Sequence, residues 1–226
     1  MDFVYYGEVP VDSASEESQL LLPYALGVLD ACGVANGPAH IEIILTGGDE
    51  VPLSPCLVEL NCRCHGGGGL WIPLAERLCG GYSQTSATLD AYLDTVAFDA
   101  LPMLPPSPYL CSGAFVCLVA NDRAGGIVKA TPGYEVIERL ESFVALNRMV
   151  VVGEPLRRTI DLFTVAGMAV LAHQSAEVLA RDVSTIRDLE SRGCLFETTS
   201  PPPPAVRVHR KKIGFGPPVA AAAARE

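Results

Sequence analysis

Apolar and polar residues alternate in two stretches of the first third of the chain, which predicts two β-strands. The stretches are residues 39–46 (AHIEIILT) and residues 56–62 (CLVELNC). The connector GGDEVPLSP between them contains Gly, Asp and Pro, residues that are typical of turns and favour a hairpin. An antiparallel pair of strands is therefore expected here.

Three polar residues stand at every second position along the second stretch and just beyond it. They are Glu59, Asn61 and Arg63, whereas Glu42 is the only charged residue of the first stretch. Because side chains along a strand alternate between its faces, these three are expected to point the same way. In an antiparallel hairpin, Glu42 would then lie opposite Glu59 or Asn61.

Helical periodicity appears along much of the remaining chain and alternates with further strand-like runs. Helices are predicted at residues 13–34, 74–80, 85–93, 134–143 and 176–192, and Pro23 is expected to kink the first of them or to mark its start. Strands are predicted at residues 1–10, 148–152 and 159–173, and a second hairpin from residues 109–122 and 125–133. This mixture indicates an α+β or α/β fold.

A proline-rich link, LPMLPPSPY, is the strongest boundary signal inside the chain. It divides the sequence into a first domain at residues 1–104, which carries the polar hairpin, and a second domain at residues 105–197. Residues 198–226 contain four consecutive prolines, a basic cluster and an alanine-rich end, a composition typical of disorder.

Charge is unevenly distributed along the 226 residues, whose net charge is −10. The segment from Met1 to Cys62 holds ten acidic residues and no Lys or Arg, whereas the 22 residues from Ala205 hold five cations and one acidic residue, a local charge of +4. The body of the chain therefore carries about −14 (−10 minus +4), which argues against nucleic acid as a partner. No apolar stretch reaches the ~20 residues of a membrane span, and no basic leader begins the chain, so a cytoplasmic protein is expected.

Eight cysteines could indicate disulfides or a metal site, but most lie within apolar runs of a long chain without a secretory leader. Buried, reduced thiols are therefore expected. Cys62, Cys64 and His65 have some zinc-ligand character, but a structural zinc site usually needs a second pair of ligands, and no such pair stands at a suitable spacing.

The polar face of the first hairpin allows two interpretations. Two carboxylates and an amide oxygen form the ligand set that Mg²⁺ prefers, Arg63 could grip a phosphoryl oxygen, and the glycines from Gly66 to Gly69 would let backbone approach an anion. Alternatively, this is a half-buried strand whose polar face is wet. Spacing alone leaves the two interpretations about equal.

A resemblance to a known family bears on this choice. The segments GPAHIEIILTGG and PCLVELNCRCHGGGG resemble the paired-strand motif of the C-terminal half of ATP-grasp carboxylate–amine ligases, of the type that joins amino acids. GGYSQTSATLDAYLD, GGIVKATPGYEVIERLESF, RRTIDLFTVAGMAVLAH and EVLARDVSTIRDLE resemble the regions that follow the motif, so the similarity spans about residues 12–196. The resemblance implies an α+β fold: an ATP-grasp-like C-terminal lobe with an antiparallel sheet and flanking helices, followed by a smaller α/β closing region.

The resemblance also implies a role for each residue of the motif. Glu42, Glu59 and Asn61 would hold Mg²⁺ against the phosphates of ATP, and Arg63 would stabilise the transferring phosphoryl group. His65, Gly66 and Gly67 would lie beside the acceptor substrate, while His40 is expected to be structural. A small-molecule carboxylate would be activated as an acyl phosphate, which an amine then attacks to give an amide.

The chain departs from the family pattern before the motif. No Lys or Arg precedes Arg63, so the phosphate-binding lysines of the family's earlier lobes are missing from this sequence. The chain is therefore expected to be a ligase fragment, or else a non-catalytic remnant that acts as a binding module. A chain that lacks the N-terminal lobe should expose apolar surface where that lobe would dock. Such a surface predicts self-association.

Overall fold

The computed structural model describes residues 2–48, 51–121 and 124–199. In chain order, its elements are β1 (Gly7–Glu8), α1 (Glu16–Ala31), β2 (His40–Gly48), β3 (Val51–Asn61), α2 (Trp71–Cys79), α3 (Gln84–Leu93), α4 (Thr95–Asp99), β4 (Ser112–Leu118), β5 (Val128–Ala130), α5 (Pro132–Ile137), β6 (Phe143–Arg148), β7 (Gly167–His173), α6 (Ala176–Arg192) and β8 (Glu197–Thr198), with 3₁₀ turns at Gly67–Gly69 and Leu162–Thr164. The predicted α+β class, an antiparallel sheet with flanking helices, is confirmed.

An antiparallel sheet of order β1-β4-β7-β6 forms the centre of the fold. Alternate side chains of β4 enter two separate apolar clusters, because neighbouring residues of a strand face opposite sides. Val116 and Leu118 pack with α6, whereas Phe115 and Cys117 pack with Leu74 and other residues of α2. The sheet is thus covered on both faces by helices.

The hairpin of β2 and β3 forms a separate two-stranded sheet. Helix α1 lies against it, and the Tyr24 hydroxyl accepts a hydrogen bond from the backbone N–H of Leu57 at 3.1 Å. Apolar side chains remain exposed on the hairpin, among them Ile44, Val51, Leu53 and Val58.

A carboxylate anchors α6 beneath the central sheet. Asp182 is buried and accepts hydrogen bonds from the backbone N–H and the hydroxyl of Ser142, at 2.9 and 2.8 Å. Burial alone would raise the pKa of Asp182, but these bonds and the ion pair with Arg181 outweigh it and hold the pKa below its ordinary value. The negative charge therefore persists at neutral pH and fixes the helix against the start of β6.

Several predicted elements are confirmed. The first hairpin forms, helices α2 and α3 cover the predicted residues 74–80 and 85–93 to within three residues at each end, and α6 matches residues 176–192. The first helix begins at Glu16 with a Ser15 cap and continues through Pro23, so the expectation that Pro23 would mark its start is wrong.

The predicted second hairpin is wrong. Strand β4 pairs with β1 and β7, and β5 pairs with β8, so the two runs do not pair with each other. Of the predicted strand 148–152, only Arg148 lies in a strand, as the last residue of β6, and α5 ends at Ile137 rather than at residue 143. The expectation of buried thiols holds only for Cys117, while Cys32, Cys56 and Cys62 are exposed; all eight cysteines are free.

The predicted domain boundary falls between segments that share one sheet, since β1 from the first predicted domain pairs with β4 from the second. The division into domains stays a prediction. Residues 200–226, most of the predicted disordered tail, lie outside the described residues, whereas Glu197–Thr198 pair with β5. In the described part of the chain, none of the helices combines the length and the apolar character that crossing a bilayer requires.

Candidate functional site

Glu42 and Glu59 lie directly opposite each other across the hairpin. Their Cα atoms are register partners, as are those of His40 and Asn61. Directly opposed residues in an antiparallel pair have Cβ atoms about 4.5–5.5 Å apart and point to the same face. Both glutamates are exposed. The hairpin therefore presents two carboxylates and the Asn61 amide on one accessible face.

A β-bulge follows this carboxylate pair immediately. Glu42 is opposite Glu59, but Ile43 is opposite Leu57, so Val58 is the additional residue of β3. Bulges bend a strand and increase its twist, which changes the direction of the neighbouring side chains, and they occur often next to active sites. The alternation in the sequence gave no sign of this irregularity.

Beyond β3, the chain turns sharply and presents Arg63. Its backbone N–H donates to the Asn61 carbonyl at 2.9 Å, and its Nη1 donates to the carbonyl of Cys64 at 2.9 Å. The guanidinium is exposed and close enough to His40 to act on it electrostatically. Arg63 thus follows a turn at the end of β3 rather than continuing the strand alternation of Glu59 and Asn61.

The glycine run after Arg63 adopts backbone conformations that side chains disfavour. Gly67, Gly68 and Gly69 all have positive φ, between 65° and 82°. At Gly67 space is also limited, because an added Cβ would lie 3.3 Å from Trp71 Cδ1 and within 3.7 Å of the Phe115 ring. The glycines let the loop turn back tightly onto the aromatic side chains.

His65 is positioned by contacts from two other elements. Its backbone N–H donates to Gln84 Oε1 at 2.8 Å, and Gln84 Nε2 donates to the carbonyl of Ala39 at 2.9 Å. Gln84, the first residue of α3, therefore connects the loop after β3 to the start of β2. No pattern in the sequence predicts this role of Gln84.

A row of rings leads from the hairpin to the central sheet. His40 and His65 have ring centroids 4.4 Å apart, His65 and Trp71 4.8 Å, and Trp71 stacks on Phe115 at 5.3 Å. Within the described residues, His40 Nδ1 and Trp71 Nε1 are buried without a hydrogen-bond partner. Burial lowers the pKa of His40, and the neighbouring His65 adds to the effect, so His40 is neutral at pH 7.

Glu8 and Tyr5 also reach this site, although sequence reasoning missed both. Glu8 lies on β1, its Oε1 accepts a hydrogen bond from the Tyr5 hydroxyl, and its Oε2 lies 3.9 Å from His65 Nε2. Burial and this hydrogen bond raise the pKa of Tyr5, so its hydroxyl stays protonated. Glu42 is close enough to contribute to the same shift.

Two cavities lie in different parts of the molecule. A small one of about 160 Å³ adjoins His65 and is lined by Cys64, Trp71, Ile72 and Ala75 among others. A larger one of about 500 Å³ lies between the end of α6 and strands β5 and β8, and none of the predicted site residues lines it. Glu42 and Glu59 line neither cavity and lie on an exposed face of the hairpin.

The carboxylate and amide oxygens of the hairpin suit a hard cation whose other coordination positions are filled by water or by a bound phosphate. Over residues 2–48, 51–121 and 124–199, no group of three or more His, Cys, Asp or Glu side chains is placed to hold a metal ion. Glu42, Glu59 and Asn61 comprise two carboxylates and an amide, a set typical of Mg²⁺ sites completed by water or phosphate rather than enclosed by protein.

Comparisons with known proteins give a relative in sequence and several solved structures of similar fold. No protein-family model matches the chain. The sequence is 25% identical over 174 residues to dapdiamide A synthase from Enterobacter agglomerans. The aligned region covers 76% of this chain and 38% of that protein.

Solved structures extend the comparison to the fold. L-amino acid ligase from Bacillus licheniformis matches with a TM-score of 0.64 and 17% identity, over 82% of this chain and 45% of that one. Carboxyaminoimidazole ribonucleotide synthase from Aspergillus clavatus, complexed with ATP, matches with a TM-score of 0.51 and 17% identity, over 83% and 46%. The chain thus spans less than half the length of each of these proteins.

The two central glycines of the loop provide a matched test of its geometry. Gly68→Ala is expected to lower the free energy of unfolding by about 1–2 kcal/mol, because alanine disfavours the positive φ of this position. No steric cost is added, since nothing lies within 4 Å of the new Cβ. Gly67→Ala carries the same penalty and in addition crowds Trp71, so it should cost roughly 1 kcal/mol more. Thermal melts of both variants measure the difference, and equal melting temperatures would contradict the packing of Gly67 against Trp71.

Proposed function

We propose that this chain carries the metal- and phosphate-binding strands of an ATP-grasp carboxylate–amine ligase, because it shares the fold of such ligases over part of their length and its sequence is similar to one of them. The proposed reaction joins a small-molecule carboxylate to an amine, with ATP as the phosphoryl donor and an acyl phosphate as the intermediate. The remaining lobe of the ligase fold would come from polypeptide beyond these 226 residues.

The observation that carries this proposal is the pairing of Glu42 with Glu59. Like charges directly opposite each other on neighbouring strands destabilise the pairing by a few tenths to about 1 kcal/mol. A divalent cation between the two carboxylates would remove that cost. Glu42, Glu59 and Asn61 would therefore hold Mg²⁺, and bound Mg²⁺ would supply charge neutralisation to the phosphates of ATP.

The residues after β3 would act on the reacting groups. The Arg63 guanidinium, exposed at the same end of the hairpin, would bind the transferring phosphoryl group through its planar set of N–H donors. His65, Gly66 and Gly67 would lie beside the acceptor substrate, in a loop that Gln84 and Trp71 hold in place. Phosphoryl transfer demands mainly such positioning and charge stabilisation.

A second function is favoured by the extent of the match. The chain covers only 38–46% of the proteins it resembles, and the sequence before Arg63 contains no Lys or Arg that could bind phosphates. A non-catalytic remnant that retains the hairpin as a binding module would have these properties. The two functions differ in whether the carboxylate pair still binds Mg²⁺-ATP.

The exposed apolar side chains of the hairpin favour a protein partner, and we propose that the full chain self-associates through them. Ile44 and Val58 are 58% and 53% exposed, in a hairpin that packs mainly against α1. Sedimentation velocity is expected to show a dimer or larger species that the double change Ile44→Ser/Val58→Ser converts to monomer. Phe163→Ser, at a 90% exposed site elsewhere, should have no effect, and a monomeric wild type would contradict the proposal.

Thermal melts with and without Mg²⁺-ATP test the proposed function. Binding at 100 times the dissociation constant would stabilise the wild type by ~2.7 kcal/mol, roughly 5–10 °C. Glu59→Gln should melt slightly higher than wild type without ligand, because the like-charge pair is gone, and should lose the response to Mg²⁺-ATP.

Glu76→Gln is the matched control, since Glu76 is an exposed glutamate on α2 outside the site. It should respond to Mg²⁺-ATP as the wild type does. A wild type without any response would contradict binding of Mg²⁺-ATP by the hairpin of these 226 residues and favour the non-catalytic alternative for them. A response that survives in Glu59→Gln would place the nucleotide away from the hairpin.

A further inference from the structure

The carboxylate of Glu8 is held in a fixed position at the edge of the site. Glu8 is anchored in the central sheet because β1 pairs with β4, where its register partner is Phe115. The Tyr5 hydroxyl occupies Oε1, which leaves Oε2 facing His65 Nε2 at 3.9 Å. Both side chains are about one-third exposed, at 32% and 30%, so a ligand can reach them.

The hydrogen bonds of His65 show what is missing between these two groups. His65 Nδ1 lies 3.2 Å from the Gly66 carbonyl oxygen, which can only accept, so we assign the ring hydrogen to Nδ1. With the ring hydrogen on Nδ1 alone, Nε2 is an acceptor, and the carboxylate oxygen Oε2 of Glu8 is an acceptor as well. Their separation of 3.9 Å exceeds the length of a hydrogen bond. Two acceptors thus face each other across a gap that lacks a donor.

A primary ammonium group satisfies this arrangement. It carries several N–H donors and a positive charge, so it can donate to Glu8 Oε2 and to His65 Nε2 at the same time. The surroundings are rigid, because the His65 ring lies between Trp71 and His40, and Trp71 in turn stacks on Phe115. An immobile pair of acceptors binds a cation without paying much to become ordered.

We propose that Glu8 and His65 form the subsite that binds the amine of the acceptor substrate, a primary amine such as the α-amino group of an amino acid. This inference rests on the proposed ligase function and extends it to a residue of β1 outside the motif. The His65 ring lies 4.4 Å from that of His40, whose register partner is Asn61, and Arg63 stands two residues before His65. The amine would therefore be bound next to the carboxylate pair and the phosphoryl-binding arginine, where an amine must attack.

Titration of the full chain with glycinamide, followed by ¹H–¹⁵N NMR, tests the subsite. Glycinamide carries an ammonium and no carboxylate, and N-acetylglycinamide is the matched probe without the ammonium. Glycinamide is expected to shift the amide signals of Glu8 and His65 in a saturable manner, whereas N-acetylglycinamide should not. Glu8→Gln should weaken glycinamide binding at least tenfold, while Glu76→Gln should leave it unchanged.

A second variant guards against an effect of Glu8 on folding. His65→Phe keeps a ring between Trp71 and His40 but removes Nε2, and it should weaken glycinamide binding to a similar extent. The inference is overturned if glycinamide does not bind the wild type, or if it binds Glu8→Gln equally well.

The Mg²⁺-ATP melts on the same samples separate this inference from the proposed function. Stabilisation by Mg²⁺-ATP that depends on Glu59, without glycinamide binding, would overturn the amine subsite and leave the ligase function standing. Glycinamide binding that depends on Glu8, without a response to Mg²⁺-ATP, would support the ammonium subsite while the ligase function fails.

Discussion

Two carboxylates held directly opposite each other on neighbouring strands are the constraint around which the site is organised. In a hairpin of this kind the pairing of Glu42 with Glu59 costs stability, and the fold maintains it on an exposed face beside a β-bulge. Removing either charge would make the hairpin more stable as a piece of structure. The proposed cation, bound with a phosphate-bearing ligand, would remove that cost.

The rest of the molecule fixes the groups that surround this pair. Apolar side chains of β4 pack on both faces of the central sheet, and Phe115 on one of those faces stacks against Trp71. Trp71 contacts His65, and Gln84 connects the backbone of His65 to the start of β2. The hairpin and the sheet thus meet at His65, where the glycine loop turns back because its residues have positive φ.

The sequence predicts the hairpin side of the site well and the sheet side poorly, for a physical reason. Alternation along residues 56–62 reveals the pairing and the shared face of Glu59 and Asn61, although neither face of this segment is fully buried. Strand β4 is covered on both faces, loses that alternation, and was assigned the wrong partner. Glu8 reaches the site only because β1 pairs with β4, more than 100 residues away, and no local pattern signals such a contact.

The central claim is that Glu42 and Glu59 bind one divalent cation together with a nucleotide. Paramagnetic line broadening tests it most directly, with Mn²⁺ in place of Mg²⁺, because Mn²⁺ accepts the same oxygen ligands. With ATP present, substoichiometric Mn²⁺ should first broaden the amide signals of Glu42, Glu59 and Asn61, and Glu42→Gln should abolish this selectivity. Broadening spread over the exposed acidic residues of the whole chain, unchanged in the variant, would contradict the account.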